Sequence, residues 1–240
     1  MPMPVLRHAA TARPPEGVIV MLPGLGGSPE DFEHYGFVDL VRVANPGFDV
    51  VVPDAHFGYY RTRTLVQRLQ ADVFAAGRPE SGQTWLLGTS MGGFGAVVYA
   101  MEHEEAIDGL ILLAPYLGPA DIIEELRDAG GLAAWSPPDG WRELEDQERR
   151  DSYELWHWLR GYADPSNTRP RLFLGFGADD SLSVPGKLLA SVLPAEQTQV
   201  IPGGHALLVW RPILATLLPR AIGAQATRVA GADEPAPAPR

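Results

Sequence analysis

Six short apolar runs, separated by helical or turn-rich stretches, constrain the fold of this chain more than any other feature. Most of them are continuously apolar, whereas a strand with one face in water alternates apolar and polar residues. Continuous apolarity predicts strands covered on both faces, and strands that alternate with helices favour a parallel sheet. We therefore predict an α/β fold with a mostly parallel, doubly wound sheet of about six strands, at residues 17–22, 49–53, 85–88, 109–114, 171–176 and 198–201.

Residues 117–169 interrupt this alternation of strands and helices, and residues 224–240 follow it. The chain has 240 residues, which suits one large domain, and we expect that domain to span residues 1–223. Residues 117–169 contain four of the six tryptophans, and between Asp121 and Glu154 there are 11 acidic residues against 4 arginines. This stretch predicts a helical cap insertion over one end of the sheet. The proline- and alanine-rich residues 224–240 predict a disordered tail.

Charge and composition exclude several classes of function. A formal net charge of -11 leaves no general attraction for nucleic acids or anionic membranes. The chain has no cysteine, so disulfides, thiolate metal sites and a cysteine nucleophile are impossible. The N-terminal residues lack the apolar core of a secretory signal, and no stretch has the roughly 18 apolar residues that a membrane span needs. We therefore expect a cytoplasmic protein without a membrane span, whose oligomeric state the sequence leaves open.

The segment 88–92 reads Gly-Thr-Ser-Met-Gly and matches the G-x-S-x-G pattern. By itself the pattern is weak, because about 0.1 matches are expected by chance in a chain of this composition. Its context strengthens it, since an apolar strand precedes Ser90 and a helix rich in glycine and alanine follows. A tight strand-to-helix turn of this kind exposes the serine hydroxyl at the end of a sheet, and small neighbours avoid clashes there. Ser90 is thus a candidate nucleophile, the alternative being a serine that caps a helix.

A serine nucleophile needs a base, and the base needs a carboxylate to orient it. Of the six histidines, only His205 lies on a loop directly after a predicted strand and before a long helix. The loop after the preceding strand carries two adjacent acids, Asp179 and Asp180. We favour Asp180, with Asp179 as the alternative and Asp54 as a weaker third candidate.

The order Ser90, Asp180, His205 resembles that of the α/β-hydrolase superfamily of serine esterases, lipases and thioesterases. The resemblance covers about residues 17–222 and implies a minimal version of that fold. Aligned with the family's acid loop, the segment from Gly177 to Pro185 puts Asp180 at the acid position. The resemblance also implies an oxyanion hole formed by the backbone N–H groups of Leu25 and Met91. This chain has Pro23-Gly24 where the family often has His-Gly, so no side-chain help is expected from that position.

These residues predict a serine hydrolase that cleaves a carboxylic ester of a small or medium-sized neutral substrate through an acyl-enzyme. A thioester, an amide or a C–C bond is the alternative substrate, and a non-catalytic ligand-binding protein of the same fold is a third hypothesis. Tyr59, Tyr60 and Tyr116 follow predicted strands and are candidate pocket residues. The chemistry requires no metal and no organic cofactor. The partner we expect is a small-molecule ester, without nucleic acid.

Overall fold

The computed structural model describes residues 2–75 and 82–223. In these residues seven strands form one sheet in the order β1-β3-β2-β4-β5-β6-β7. All neighbours are parallel except β1, which pairs antiparallel with β3. The strands are β1 (Val5–His8), β2 (Gly17–Leu22), β3 (Phe48–Pro53), β4 (Gln83–Thr89), β5 (Gly109–Leu113), β6 (Arg171–Gly177) and β7 (Thr198–Ile201).

The predicted mostly parallel α/β sheet is confirmed, and the strand missing from the prediction is β1. Its four residues, Val-Leu-Arg-His, lie at the sheet edge and are only partly covered, so they lack the buried apolar run that marked the other strands. By contrast, every residue of β2 and β5 is buried. These two strands, with β4 between them, form the centre of the sheet.

Nine α-helices are formed by the described residues, and they cover both faces of the sheet. Adjacent residues of β6 show the two faces, because successive side chains of a strand point in opposite directions. A Cβ on Gly175 would meet Ile213 of α9, whereas the Phe176 ring lies against Gly186 of α8. The helices are α1 (Pro29–His34), α2 (Phe37–Ala44), α3 (Phe57–Arg61), α4 (Leu65–Leu69), α5 (Met91–Glu102), α6 (Ala120–Asp128), α7 (Gln147–Arg160), α8 (Ser183–Ala190) and α9 (Leu207–Ala221).

The predicted insertion, residues 117–169, contains α6 and α7, and its tryptophans are covered. All four are buried, and Trp156 has no exposed surface. The indole N–H of Trp158 donates to Glu104, which follows α5, over 2.7 Å. Most of the insertion's acidic side chains face solvent. Trp158 thus links the insertion to the segment after α5, whereas Trp135 and Trp141 pack against Tyr153 within the insertion. The negative charge of the insertion lies mainly on its outer surface.

None of the helices in the described ranges is long and apolar enough to cross a membrane. The tail predicted at residues 224–240 lies outside the described residues, as do residues 76–81.

Candidate active site

Ser90 occupies the turn between β4 and α5 in a strained backbone conformation. Its φ and ψ angles are 52° and -118°, which non-glycine residues adopt only when the surroundings impose them. Here the constraint comes from β5 and the loop after it. The Ser90 N–H donates to the Leu113 carbonyl, and the Tyr116 N–H donates to the Ser90 carbonyl, both over 2.9 Å. The turn thus holds Ser90 at the carboxyl end of the sheet, where the residue remains partly exposed.

The glycines on either side of Ser90 are required by close backbone approach. A Cβ on Gly88 would lie 2.3 Å from the Gly92 carbonyl oxygen, and a Cβ on Gly92 would lie 2.1 Å from the Leu22 carbonyl oxygen. Both contacts involve main-chain atoms, which cannot rotate away as a flexible side chain would. The spacing of the motif therefore has a steric cause, since α5 begins directly against the ends of β2 and β4.

We expect Gly92→Ala to lower the free energy of unfolding by about 1–3 kcal/mol, because overpacking forces the main chain to shift. Gly204→Ala is the matched control, since no atom lies within 4 Å of the Cβ it would add. Chemical denaturation of both variants measures the difference. Equal stability of the two would contradict the steric explanation of the motif.

His205 connects Ser90 to Asp180 through hydrogen bonds. Its Nε2 lies 2.9 Å from Ser90 Oγ, and its Nδ1 lies 2.9 Å from both carboxylate oxygens of Asp180. The Asp180 side chain has 0% exposure, whereas 32% of the His205 side chain is exposed. A buried carboxylate at Nδ1 favours the tautomer in which Nδ1 carries the proton, so Nε2 is left to accept the serine proton.

The two adjacent aspartates have different contacts. Asp180 Oδ1 also accepts the N–H of Leu182 over 2.8 Å, which fixes the carboxylate next to His205. Asp179 instead exchanges hydrogen bonds with Gly203, donating its N–H to the Gly203 carbonyl and accepting the Gly203 N–H at its carboxylate. Asp179 therefore holds together the two loops that follow β6 and β7. In the described residues Asp54, the third candidate, forms no hydrogen bond with His205, whose carboxylate partner is Asp180.

Trp210 is a neighbour of His205 that the sequence analysis did not identify. Its ring meets the imidazole edge to face, with ring centroids 4.7 Å apart. The tryptophan is five residues after His205, on the first turns of α9, and is only 5% exposed. The tryptophan therefore restricts the movement of the imidazole. The one sequence signal for this contact was that Trp210 follows the candidate base His205 by only five residues.

The backbone donors predicted from the family resemblance lie on two loops that meet at Ser90. A Cβ on Gly24 would be 3.1 Å from the Ser90 Cβ, which brings the loop after β2 into contact with the serine. The Met91 N–H follows Ser90 directly at the start of α5. Within the described ranges, neither the Leu25 N–H nor the Met91 N–H donates to a protein acceptor. Both groups are thus free to bind an oxygen of a ligand.

A cavity of about 250 Å³ opens beside Ser90 and His205. Its wall is formed mainly by the loop after β2, the first turn of α1 and the start of α9. The large apolar side chains of this wall are Leu25, Phe32, Leu207 and Trp210, and its one acidic side chain is Asp31. No residue of the insertion lines the cavity. The acidic surface of the insertion therefore does not form the wall of this site.

The three candidate pocket tyrosines, Tyr59, Tyr60 and Tyr116, do not line this cavity. Tyr60 and Tyr116 both pack against Phe94 of α5, and Tyr59 stacks on His56. Burial raises the pKa of the Tyr60 phenol well above its usual value. Burial also raises the pKa of Tyr116, and the negative charges of Glu148 and Asp121 add to that shift. Their positions after strands predicted the correct edge of the sheet, but packing directs Tyr60 and Tyr116 to α5 and Tyr59 to His56 rather than to the cavity.

Tyr60 provides a stability prediction, because its hydroxyl is buried without a hydrogen-bond partner in the described residues. Tyr60→Phe removes this unsatisfied group, so we expect the free energy of unfolding to rise by up to about 1 kcal/mol. If the protein is the serine hydrolase that the sequence predicts, its activity should change less than about twofold, since the ring that packs on Phe94 remains. Thermal unfolding and steady-state kinetics measure the two effects. A large loss of kcat/KM would return Tyr60 to the list of substrate-contacting residues.

Within residues 2–75 and 82–223, no group of three histidine, aspartate or glutamate side chains is placed to hold a metal ion. The site itself presents a hydrogen-bonded serine, histidine and aspartate, with the backbone N–H groups of Leu25 and Met91 nearby.

The α/β hydrolases have a strained serine turn at the carboxyl edge of a parallel sheet, and they place an aspartate and a histidine on loops after later strands. The site described above has the same arrangement. Residues 17–143 match the family model of the alpha/beta hydrolase fold. This match covers more than half of the chain, so the protein belongs to that family. The matched segment includes Ser90 and ends before Asp180 and His205. No curated protein sequence matches the chain.

Solved structures share the fold at low sequence identity. The serine hydrolase FphF of Staphylococcus aureus, described as fluorophosphonate-binding, is 14% identical with a TM-score of 0.61, over 91% of this chain and 98% of that chain. The S-formylglutathione hydrolase FrmB of the same organism is 15% identical with a TM-score of 0.58, over 85% and 80%. A monoacylglycerol lipase of Paleococcus ferrophilus is 18% identical with a TM-score of 0.51, over 91% and 99%.

Proposed function

We propose that this protein is a serine hydrolase that cleaves carboxylic esters of small or medium-sized neutral substrates. The observation that carries the proposal is the continuous hydrogen-bonded chain from Asp180 through His205 to Ser90. The similar structures include proteins described as serine hydrolases, an S-formylglutathione hydrolase and a lipase, which supports acyl transfer to water as the reaction class.

In the acylation step, Ser90 Oγ attacks the ester carbonyl as its proton passes to His205 Nε2. The carbonyl oxygen becomes an oxyanion, and the N–H groups of Leu25 and Met91 donate to it. The imidazolium is stabilised by the buried carboxylate of Asp180. The tetrahedral intermediate then breaks its bond to the alcohol oxygen, which takes the proton from His205 Nε2 and leaves.

Deacylation repeats these steps with water as the nucleophile. His205 Nε2 accepts a proton from water as the hydroxide oxygen adds to the acyl carbon. The second tetrahedral intermediate releases Ser90 Oγ, which recovers its proton from His205, and the carboxylic acid leaves. Because the two backbone donors act on charge that develops only in the transition state, they are expected to contribute a large share of the rate enhancement.

The cavity supports a substrate of limited size. At about 250 Å³ it is smaller than the roughly 300–1,000 Å³ typical of pockets for drug-sized ligands. Its apolar wall suits a short acyl chain, a compact alcohol or a small aromatic group. We therefore expect kcat/KM in a series of p-nitrophenyl esters to reach its maximum at short or medium acyl length.

A fluorophosphonate probe tests the proposed nucleophile directly, because it forms a covalent bond only with an activated serine. We expect labelling of the wild-type protein and of Ser191→Ala, which removes a surface serine, and none of Ser90→Ala. Peptide mass spectrometry of the labelled protein should identify Ser90. Labelling without hydrolysis of any ester would direct the search to thioesters, amides and C–C bonds. Absence of labelling would favour the non-catalytic, ligand-binding alternative.

A further inference from the structure

Asp31 is an acidic side chain in the wall of the proposed active-site cavity. It lies in the first turn of α1, and its carboxylate stands over the loop that carries Leu25. One carboxylate oxygen, Oδ2, accepts the Ser28 N–H over 2.8 Å, and a Cβ on Gly27 would lie 3.5 Å from the same oxygen. These contacts fix the carboxylate against the loop that carries Leu25.

No ion pair neutralises the charge of Asp31 in the described residues. Its second oxygen, Oδ1, accepts no hydrogen bond from the described residues, and no Lys, Arg or His nitrogen of those residues lies within ion-pair distance. The cavity lining contains no lysine and no arginine, and His205 is its one basic side chain. Asp31 therefore presents a free acceptor and a negative charge to whatever occupies the cavity.

We infer that Asp31 determines the charge specificity of the site, and this inference rests on the proposed hydrolase function. Among neutral substrates the carboxylate favours those whose cavity-bound group carries a hydrogen-bond donor. A cationic group there is bound more tightly than its neutral isostere, and a carboxylate or phosphate is bound less tightly. The physical reason is that attraction between charges a few ångströms apart persists in a partly enclosed cavity, whereas it is largely screened at the open surface. The acidic surface of the insertion is not required for this selection, since the insertion does not reach the cavity wall.

Two pairs of esters test the inference, because the cavity can receive either side of the ester. Acetylcholine and 3,3-dimethylbutyl acetate differ by a cation on the alcohol. Ethyl trimethylglycinate and ethyl 3,3-dimethylbutanoate differ by a cation on the acyl group. For each pair we measure the ratio of kcat/KM for the cationic ester to kcat/KM for its neutral isostere. This ratio is then compared between the wild-type protein and each variant, so that the intrinsic reactivity of the two esters cancels.

Asp31→Asn removes the charge but keeps an oxygen that can accept the Ser28 N–H. In at least one pair we expect the ratio to fall roughly fivefold to tenfold in this variant. The kcat/KM of monoethyl succinate relative to ethyl methyl succinate should rise by a similar factor. Glu30→Gln is the matched control, because it removes the same charge from an exposed neighbouring position outside the cavity lining, and its ratios should stay at the wild-type values.

Unchanged ratios in Asp31→Asn would overturn the inference and leave Asp31 as a residue that only caps α1. If that variant does not fold, the wild-type ratios decide. They should exceed the ratios for alkaline hydrolysis of the same esters, measured at the same ionic strength. Wild-type ratios equal to those of alkaline hydrolysis would also overturn it. Failure of the wild-type protein to hydrolyse any neutral ester refutes the proposed function instead, so the two failures are distinct.

Discussion

Replacing Ser90 with alanine should lower kcat for ester hydrolysis by about 10⁴- to 10⁶-fold and leave the fold intact. The Ser90 hydroxyl is hydrogen-bonded to His205 Nε2, and the turn itself is held by main-chain bonds to Leu113 and Tyr116 that alanine keeps. The strained φ of 52° applies to any residue with a Cβ, so alanine brings no additional strain. Steady-state kinetics together with thermal unfolding should show a large loss of rate and little change in Tm.

His205→Ala should have an effect of similar size, because the proposed nucleophile is inactive without its base. The double variant Ser90→Ala/His205→Ala then tests whether the two residues act independently. If Ser90 and His205 act as one unit, the double variant should lose about as much activity as either single variant. Losses that multiply, or a Ser90→Ala protein that keeps more than a few per cent of the wild-type kcat, would contradict the proposed mechanism.

The second large effect is expected at Asp180. Asp180→Asn places an amide N–H₂ or amide oxygen next to His205 Nδ1, and when the amide donates, Nδ1 must accept. The imidazole proton then lies on Nε2 and points at Ser90 Oγ, so the histidine cannot accept the serine proton. We expect kcat to fall on the order of 10³- to 10⁴-fold, with a smaller change in KM.

Asp179→Asn is the matched control for this variant, since it makes the same chemical change one residue away. Its oxygen can still accept the Gly203 N–H, so kcat should fall less than about tenfold. Measurement of both variants against one ester distinguishes the roles. A larger loss in Asp179→Asn than in Asp180→Asn would show that the acid has been assigned incorrectly.

The sequence by itself determined the fold class and the position of the serine turn. Buried parallel strands are read from continuous apolar runs, because a covered strand excludes polar side chains from both faces. The turn at Ser90 could be predicted because its glycines are required by main-chain contacts, which act wherever this motif occurs between a strand and a helix. Strand β1 was missed because four half-covered residues at a sheet edge leave no such run.

Only the tertiary structure decided which side chains meet at the site. The sequence favoured Asp180 over Asp179 only through the family resemblance, and the direction of the loop after β6 brings Asp180 to His205 and Asp179 to Gly203. Tyr59, Tyr60 and Tyr116 lie at the predicted edge, but a side chain's direction depends on what packs around it. Asp31 lies on α1 and Trp210 on α9. Their positions in the sequence do not indicate that both side chains line the cavity beside Ser90. Contacts between residues far apart in sequence depend on how the helices pack on the sheet, and no local pattern encodes that packing.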